Sequence, residues 1–301
     1  MRKRRLAALA CLAMFAAACA GKDARKNQAP EAAPAVRDEY GPELPPQAPA
    51  AEEPKPAGPQ PVLSPAQDGY ALILGPGLAR TLALVGVLRA FEENGVKIRS
   101  VTGVEMGALM AVLWAGANAN KLEWEMFKFN RDVFLDRGFL SLGAKTASGR
   151  SFETYLEKAF GDRPVDGLRF PTYVVHAAGH AAEGGEKIIL GHSGLARDLV
   201  RAAVGIPPVE MVRAISPGKI LCVDVLGAGN DFSPADHAEE SLAALMKTVS
   251  SLARESLKQC DEAIRVPVDG IGLLAFEARS ELIDRGRTAV QKWIEERPRP
   301  Q

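Results

Sequence analysis

The segment from Lys97 to Gly116 restricts the fold most, because it joins a strand to a helix through a tight turn. A strand pattern over 97–102 runs directly into Gly103-Val104-Glu105-Met106-Gly107, and a helix rich in small residues follows. The glycine spacing is that of G-x-S-x-G, a sharp strand-to-helix turn that lifts one side chain into a site. The central residue here is Glu105, so a carboxylate stands where the pattern normally has a serine hydroxyl.

Strand and helix patterns alternate along the chain from Tyr70 onwards. The predicted strands cover residues 71–74, 97–102, 172–178, 187–190, 219–226 and 263–266. The predicted helices cover residues 81–94, 106–116, 122–134, 152–160, 195–204, 239–260 and 281–296. Alternation at this spacing is typical of folds in which helices cover both faces of a parallel sheet. We therefore predict an α/β three-layer sandwich with a mostly parallel central sheet.

Residues 1–18 are predicted to be a bacterial lipoprotein signal peptide. A basic start, Met1-Arg2-Lys3-Arg4-Arg5, precedes an apolar stretch that ends in small residues directly before Cys19. This order resembles a lipobox, so we expect cleavage before Cys19 and attachment of diacylglycerol to its thiol. The alternative is a plain secretory signal with an incidental cysteine. The expected location is therefore the cell envelope, with a lipid anchor. By the bacterial sorting pattern, Ala20 after the cysteine, rather than aspartate, favours the outer membrane.

Residues 19–66 are predicted to be a disordered tether between the lipidated Cys19 and a folded domain at 67–297. The segment is rich in proline, alanine and charge and has almost no large apolar residues, so it cannot bury enough surface to offset chain entropy. The formal net charge of the chain is zero, and the sequence therefore offers no basic excess that would attract nucleic acid.

Five segments in order resemble one known family. The glycine-bearing segment Leu74–Ala83 is similar to a loop with the pattern L-G-G-G-G-A-R-G-L-A, and the Glu105 turn follows at the expected distance. The remaining matches are Phe160-Gly161-Asp162, the stretch 201–208 that ends in Ile-Pro-Pro, and the closing stretch 282–287, which resembles L-I-x-x-G. Over about residues 68–296 the chain resembles the patatin-like phospholipases.

The resemblance implies a serine–aspartate dyad that hydrolyses acyl esters. The serine of the turn attacks the carbonyl, an aspartate in a D-G-G/A motif activates it, and backbone N–H groups of the glycine loop hold the oxyanion. Glu105 occupies the nucleophile position and is expected to be inactive there. The implied oxyanion loop consists of Gly75, Gly77, Leu78, Ala79 and Arg80.

The glycine loop departs from the family pattern at Pro76, Leu78 and Thr81, which replace glycines. Pro76 has no N–H to donate, and Leu78 is expected to resist a positive φ that glycine accepts freely. The loop is therefore expected to be altered together with the nucleophile position.

The activating aspartate is the third altered element. Between Pro208 and Val223-Asp224-Val225 there is room for one strand, so the preferred interpretation is that the catalytic D-G-G/A motif is deleted. In the competing interpretation Asp224 is the dyad aspartate. Asp269-Gly270 also spells D-G, but it is predicted to be a turn.

Cys222 and Cys260 are predicted to be two separate apolar core thiols, with a disulfide as the alternative in an oxidising compartment. Neither cysteine has the spacing of a metal ligand, and no metal or cofactor is expected.

The combined changes favour a catalytically inactive relative of lipid acyl hydrolases with a lipid-binding or protein-interaction role. The expected partners are the membrane through Cys19, a lipid or acyl ligand and an envelope protein. One alternative is an active patatin-like phospholipase or esterase that uses an unusual catalytic residue. A second alternative is an envelope scaffold.

Overall fold

A computed structural model describes residues 68–134, 136–137, 145–146, 150–178, 187–227, 232 and 237–297. The predicted signal peptide, Cys19 and the whole predicted tether lie outside these ranges, as does the turn predicted between residues 178 and 187. Among the described helices, none combines the length and the apolar character that a membrane crossing requires.

The core of the fold is a six-stranded sheet with the order β6-β5-β2-β1-β7-β8. Neighbouring strands are parallel except for β6, which runs antiparallel to β5. The strands of this sheet are β1 Tyr70–Leu74, β2 Ile98–Gly103, β5 Thr172–Ala178, β6 Lys187–Gly191, β7 Ile220–Asp224 and β8 Glu262–Arg265. A short antiparallel pair consists of β3 Asp136–Arg137 and β4 Lys145–Thr146. The predicted mostly parallel sheet is confirmed.

Helices pack on the sheet and on each other, and the central strands β1 and β7 are buried along their whole length. The helices are α1 Ala83–Glu93, α2 Met106–Ala115, α3 Ala119–Lys128, α4 Arg131–Phe134, α5 Arg150–Phe160, α6 Ala196–Arg201, α7 Val209–Ile215, α8 His237–Leu257 and α9 Arg279–Glu295. Two 3₁₀ turns occupy Leu78–Leu82 and Phe276–Ala278. Apolar side chains from both faces of the sheet form the core, as expected for an α/β sandwich.

Several predicted helix boundaries differ from the structure. The helix predicted over 122–134 is two helices, α3 and α4, because the chain is extended at Phe129 (φ −87°, ψ 122°). The helix predicted over 195–204 ends at Arg201, and α7 lies in a stretch for which no helix was predicted. At the two interruptions the ring of the buried Phe129 packs against Phe276, and the amide of Val204 donates to Val175, contacts that periodicity does not contain.

The prediction that Cys222 and Cys260 are separate core thiols is wrong. They form a disulfide, with their Cα atoms 6.1 Å apart. Cys222 lies on β7, and Cys260 lies in the connection between α8 and β8. Because β7 and β8 pair in parallel, with Cys222 opposite Ala263, the connection that carries Cys260 passes beside Cys222. The pairing of strands therefore brings the two thiols together over a sequence separation of 38.

Candidate active site

The Glu105 turn has the sharp geometry that its glycine spacing predicts. Glu105 has φ 53° and ψ −124°, one of two non-glycine residues with positive φ in the described part of the chain. A Cβ on Gly103 would lie 2.3 Å from the Cα of Ala108, and one on Gly107 would lie 2.5 Å from the carbonyl oxygen of Leu74. Glycine is required at both positions because the turn presses against its own helix and against β1.

The glycine loop follows β1 and lies against the end of β7. The amide of Gly75 donates to the carbonyl oxygen of Val223 at 3.1 Å, and a Cβ on Gly75 would lie only 2.8 Å from that oxygen. A Cβ on Gly77 would contact the side chain of Val225 at 3.0 Å. The two glycines therefore let the loop run close along β7 and bring its next amides beside the Glu105 turn.

The Glu105 carboxylate binds the loop amides. Its Oε2 atom accepts hydrogen bonds from the amides of Gly77 at 2.9 Å and Leu78 at 3.3 Å. Leu78 has φ 50°, so the expectation that leucine would resist a positive φ here is wrong. The Leu78 side chain is 1% exposed, and its apolar burial offsets the backbone strain. Two amides of the implied oxyanion loop thus converge on an oxygen that belongs to the protein itself.

Burial raises the pKa of the Glu105 carboxyl group above its ordinary value of 4.5. The backbone amides of Gly77, Met106 and Leu78 act in the opposite direction because they favour the charged form. Desolvation is the larger effect. The side chain thus holds a proton to higher pH than an exposed glutamate would.

The other residues of the predicted oxyanion loop have structural partners. The amide of Ala79 donates to the carbonyl oxygen of Leu273 at 2.9 Å, and that of Arg80 donates to Gly77 at 3.0 Å. The Arg80 side chain is 1% exposed and donates to the carbonyl oxygens of Ile271 and Leu226, each at 2.8 Å. Only the Gly77 and Leu78 amides of the predicted set therefore meet Glu105.

Asp224 lies at the end of β7, on the same edge of the sheet as the Glu105 turn. Its carboxylate accepts a hydrogen bond from the Leu226 amide at 2.9 Å. Burial raises the pKa of Asp224. The nearby cations of Arg254 and Arg265 act in the opposite direction, and the negative charge of Asp269 adds to the increase. Within the described residues, no hydrogen bond joins Asp224 to Glu105. The two carboxylates share an edge of the sheet, but the structure does not pair them.

Residues 72–222, half of the chain, match the family model of the patatin-like phospholipases. The chain belongs to the patatin-like phospholipase family. Similar curated proteins include neuropathy target esterase sws from Drosophila persimilis and from Drosophila melanogaster. Each is 32% identical over 115 residues, which cover 36% of this chain and 8% of the relative. The chain therefore spans only a small part of the length of these relatives.

Two solved structures also resemble the chain. The type III effector protein ExoU has 14% identity and a TM-score of 0.38, with 79% of this chain and 54% of that chain covered. ExoU in complex with SpcU, from Pseudomonas aeruginosa, has 14% identity and a TM-score of 0.36, with 74% and 52% covered.

One contact of the patatin-like turn was not found by sequence reasoning. The amide of Glu105 donates to the carbonyl oxygen of Val204 at 3.1 Å, and the Val204 amide donates to Val175 on β5 at 2.8 Å. Val204 lies in the matched stretch 201–208. Because a helix was predicted through residue 204, its hydrogen bonds to Glu105 and Val175 were not expected. The predicted turn at Asp269-Gly270 is consistent with the φ of 82° at Gly270.

In the part of the chain that the structure describes, no group of three or more His, Cys, Asp or Glu side chains could hold a metal ion. The described part of the site contains the Glu105 carboxylate, the Gly77 and Leu78 amides and, on the same edge of the sheet, Asp224.

Proposed function

We propose that this chain is a patatin-like domain that does not hydrolyse esters and that binds lipid or a protein partner at a bacterial membrane. The observation that carries the proposal is the pair of hydrogen bonds from the Gly77 and Leu78 amides to Oε2 of Glu105. In an acyl hydrolase, amides at such a loop stabilise negative charge that develops on the substrate oxygen. Here a carboxylate of the protein itself accepts the hydrogen bonds of both amides.

The occupied loop amides are expected to lower any hydrolytic rate strongly. Loss of one oxyanion donor typically lowers the rate by about 10²–10³. A substrate carbonyl would have to displace the Glu105 carboxylate from two donors before it could use either. The substrate would also bring its developing negative charge towards Glu105, which repels it in the charged form.

Glu105 is also a poor nucleophile in this geometry. A carboxylate that attacks an ester forms an anhydride, which water must then open, and the alkoxide leaving group needs a proton. The oxygen that binds the Gly77 and Leu78 amides has its lone pairs engaged. Asp224, the other carboxylate of the site, accepts a hydrogen bond from Leu226 and makes none with position 105.

Membrane attachment belongs to the same proposal. The sequence predicts lipidation at Cys19 and a tether through residue 66, and two or more acyl chains bury enough CH₂ groups to anchor a protein stably. The Cys222–Cys260 disulfide supports an oxidising compartment, because disulfides persist there and are rare in the cytosol. We place the domain in the cell envelope, with the outer membrane favoured.

An active patatin-like hydrolase with an unusual catalytic residue is the second candidate. The positive φ of Glu105 favours it, because the strained turn that presents a nucleophile is retained. Among the residues that the structure describes, no specific contact favours an envelope scaffold.

The test measures release of p-nitrophenol from a short-chain ester and of fatty acid from phospholipid. The purified chain is compared with Glu105→Ala, Glu105→Ser and a heat-denatured sample. We expect no turnover above the denatured sample from the wild type or from Glu105→Ala. We expect none from Glu105→Ser either, since Asp224 is engaged with Leu226. Wild-type turnover that Glu105→Ala abolishes would contradict the proposal.

Activity of Glu105→Ser alone would show that the remaining site is competent and that the glutamate silences it. A fluorescent fatty acid titrated into the same variants measures ligand binding without chemistry. We expect Glu105→Ala to bind it more tightly than the wild type, because its two loop amides are free to donate to the fatty acid carboxylate.

A further inference from the structure

Two large apolar side chains are exposed in the part of the chain that the structure describes, and both lie on α3. Trp124 is 60% exposed and Phe127 is 54% exposed. Residues three positions apart in a helix lie on the same face, so the two rings are neighbours on one surface. The opposite side of α3 supplies the buried Leu122 and Met126, which hold the helix to the core.

A cation lies over each of these rings. The Lys128 Nζ atom is 5.6 Å from the centroid of Trp124, and the Arg279 Cζ atom is 4.8 Å from the centroid of Phe127. Lys121 adds a third cation one turn before Trp124 and is 56% exposed at its side chain. We call this surface, formed by Lys121, Trp124, Phe127, Lys128 and Arg279, the aromatic–cation face.

The acidic side chains of α3 form ion pairs with basic side chains of the same domain. Glu123 pairs with Arg89 on α1. Glu125 is 8% exposed and accepts from Lys121 at 3.0 Å and from Lys128 at 3.1 Å. Within α3, the exposed side chains of this face are therefore the two aromatic rings and the two lysines, whose ammonium groups also pair with the buried Glu125.

This composition suits the surface of a lipid bilayer. Tryptophan is enriched at the level of lipid headgroups, and lysine side chains extend their charge towards the headgroup phosphates. A stable protein interface buries about 800 Å² on each partner, whereas an aromatic side chain buries about 150–250 Å². Two rings therefore cover only about half of the area that a protein partner would need.

A small docking surface is sufficient when the protein is already held at the membrane. A tether makes the second contact intramolecular, so that a weak surface contact is occupied without high affinity of its own. The predicted tether of residues 19–66 would supply this effect, and about 3.1 Å per residue for a proline-rich chain lets it reach round the domain.

The aromatic–cation face is connected to the candidate site. Phe129, directly after α3, has its ring centroid 5.3 Å from that of Phe276, and its carbonyl oxygen accepts from Arg279 at 3.0 Å. The segment before Phe276 holds the glycine loop, since the carbonyl oxygen of Leu273 accepts from Ala79. Docking on this face would therefore bring the C-terminal end of α3 against the lipid. This is the end that contacts the segment holding the glycine loop.

We propose that the aromatic–cation face docks onto a bilayer that contains anionic lipid, with Trp124 and Phe127 at headgroup level. The inference rests on the anchoring part of the proposed function and holds whether or not the Glu105 site binds an acyl chain.

The test uses the full lipidated chain in vesicles of brominated phosphatidylcholine, with and without phosphatidylglycerol. Bromine quenches only tryptophans that reach the bilayer. Trp114 is 3% exposed, and its Nε1–H donates to Glu92. Trp293 is partly exposed and packs against Tyr70 and Phe91, so Trp124 is the most exposed of the three tryptophans. We expect quenching of roughly a third of the emission, the share of one tryptophan, and stronger quenching with phosphatidylglycerol.

The matched control is Trp124→Ala, a surface change that leaves the core contacts of α3 in place. Its emission should be equal in brominated and ordinary vesicles, while flotation with the vesicles persists through the anchor. Equal quenching of wild type and Trp124→Ala, with both floating, would overturn the docking face and leave the anchor intact. A chain that does not float would overturn both proposals.

A protein occupant gives a different result. Protection of Trp124 from acrylamide in native membranes, without protection in pure lipid vesicles, would assign the aromatic–cation face to a protein and overturn lipid docking.

Discussion

At the scale of single residues, the length of the side chain at position 105 decides what the turn can do. A serine side chain reaches its oxygen one bond beyond Cβ. The glutamate is two atoms longer and reaches the amides of Gly77 and Leu78. One residue therefore replaces the serine hydroxyl of the family pattern with a carboxylate that is hydrogen-bonded to the glycine loop.

The raised pKa of Glu105 predicts the pH dependence of stability. The native state keeps this proton at pH values where the unfolded chain has lost it, so the free energy of unfolding falls as pH rises through the native-state pKa. The contribution is greatest below the ordinary value of 4.5. Each unit of elevation amounts to about 1.4 kcal/mol at neutral pH.

Urea unfolding of wild type and Glu105→Gln between pH 4 and pH 8 measures this effect. The glutamine keeps an oxygen for the loop amides but does not titrate. We expect the glutamine variant to gain stability relative to the wild type as pH rises. A constant difference across this range would show that burial does not raise the pKa of Glu105.

At the scale of elements, α1 and α9 touch through two glycines. A Cβ on Gly86 would lie 1.9 Å from the carbonyl oxygen of Ile283, and one on Gly286 would lie 2.0 Å from that of Ala83. The two backbones are therefore in direct contact, which no larger residue permits. Gly286 is the glycine of the closing L-I-x-x-G pattern, and close helix packing is the physical reason for it.

Gly86→Ala should destabilise the protein. Overpacking of a tight contact typically costs about 1–3 kcal/mol, which outweighs the gain of about 1 kcal/mol in helix propensity at the upper end of that range. The clash here is with backbone, so we expect a net loss of about 2 kcal/mol in urea unfolding.

Gly272→Ala is the control, because its Cβ would meet only the Ala275 side chain at 3.6 Å, an ordinary contact. Its stability should change little. A Gly86→Ala protein as stable as this control would contradict the close approach of α1 and α9.

At the scale of the whole molecule, the disulfide joins the sheet to the connection that follows α8, the longest of the described helices. Cys222 lies on β7, next to Val223. The carbonyl oxygen of Val223 accepts a hydrogen bond from the amide of Gly75 in the glycine loop. Cys260 follows α8, which ends at Leu257. The bond therefore secures the packing of α8 and β8 against the strand that supports the candidate site.

Reduction of this disulfide should lower stability. For a loop of 38 residues, the chain-entropy model predicts a loss of about 4 kcal/mol, and measured losses are usually about 2–4 kcal/mol. Thermal unfolding with and without a phosphine reductant measures the loss as a lower midpoint temperature. The double variant Cys222→Ala, Cys260→Ala should show a low midpoint that the reductant does not change. Equal midpoints for the wild type with and without reductant would contradict a stabilising bond.

The sequence alone predicted the parallel sheet, the helices that flank it and the Glu105 turn. These features follow from local rules, because strand and helix periods and glycine spacing act over a few neighbouring residues. The close backbone contacts at positions 103 and 107 are also evident from the sequence, because they require glycine at both positions. The position of Glu105 at the centre of this turn is therefore evident from the order of residues 103–107 alone.

Only the tertiary structure decided where the long side chains and thiols find their partners. The bonds from Gly77 and Leu78 to Glu105, the separate partner of Asp224 and the Cys222–Cys260 bond join residues that local patterns do not relate. The extended Phe129 that divides α3 from α4 and the positive φ of Leu78 likewise depend on packing. These contacts arise when strands distant in sequence pair side by side, because the order of the sheet sets which side chains meet.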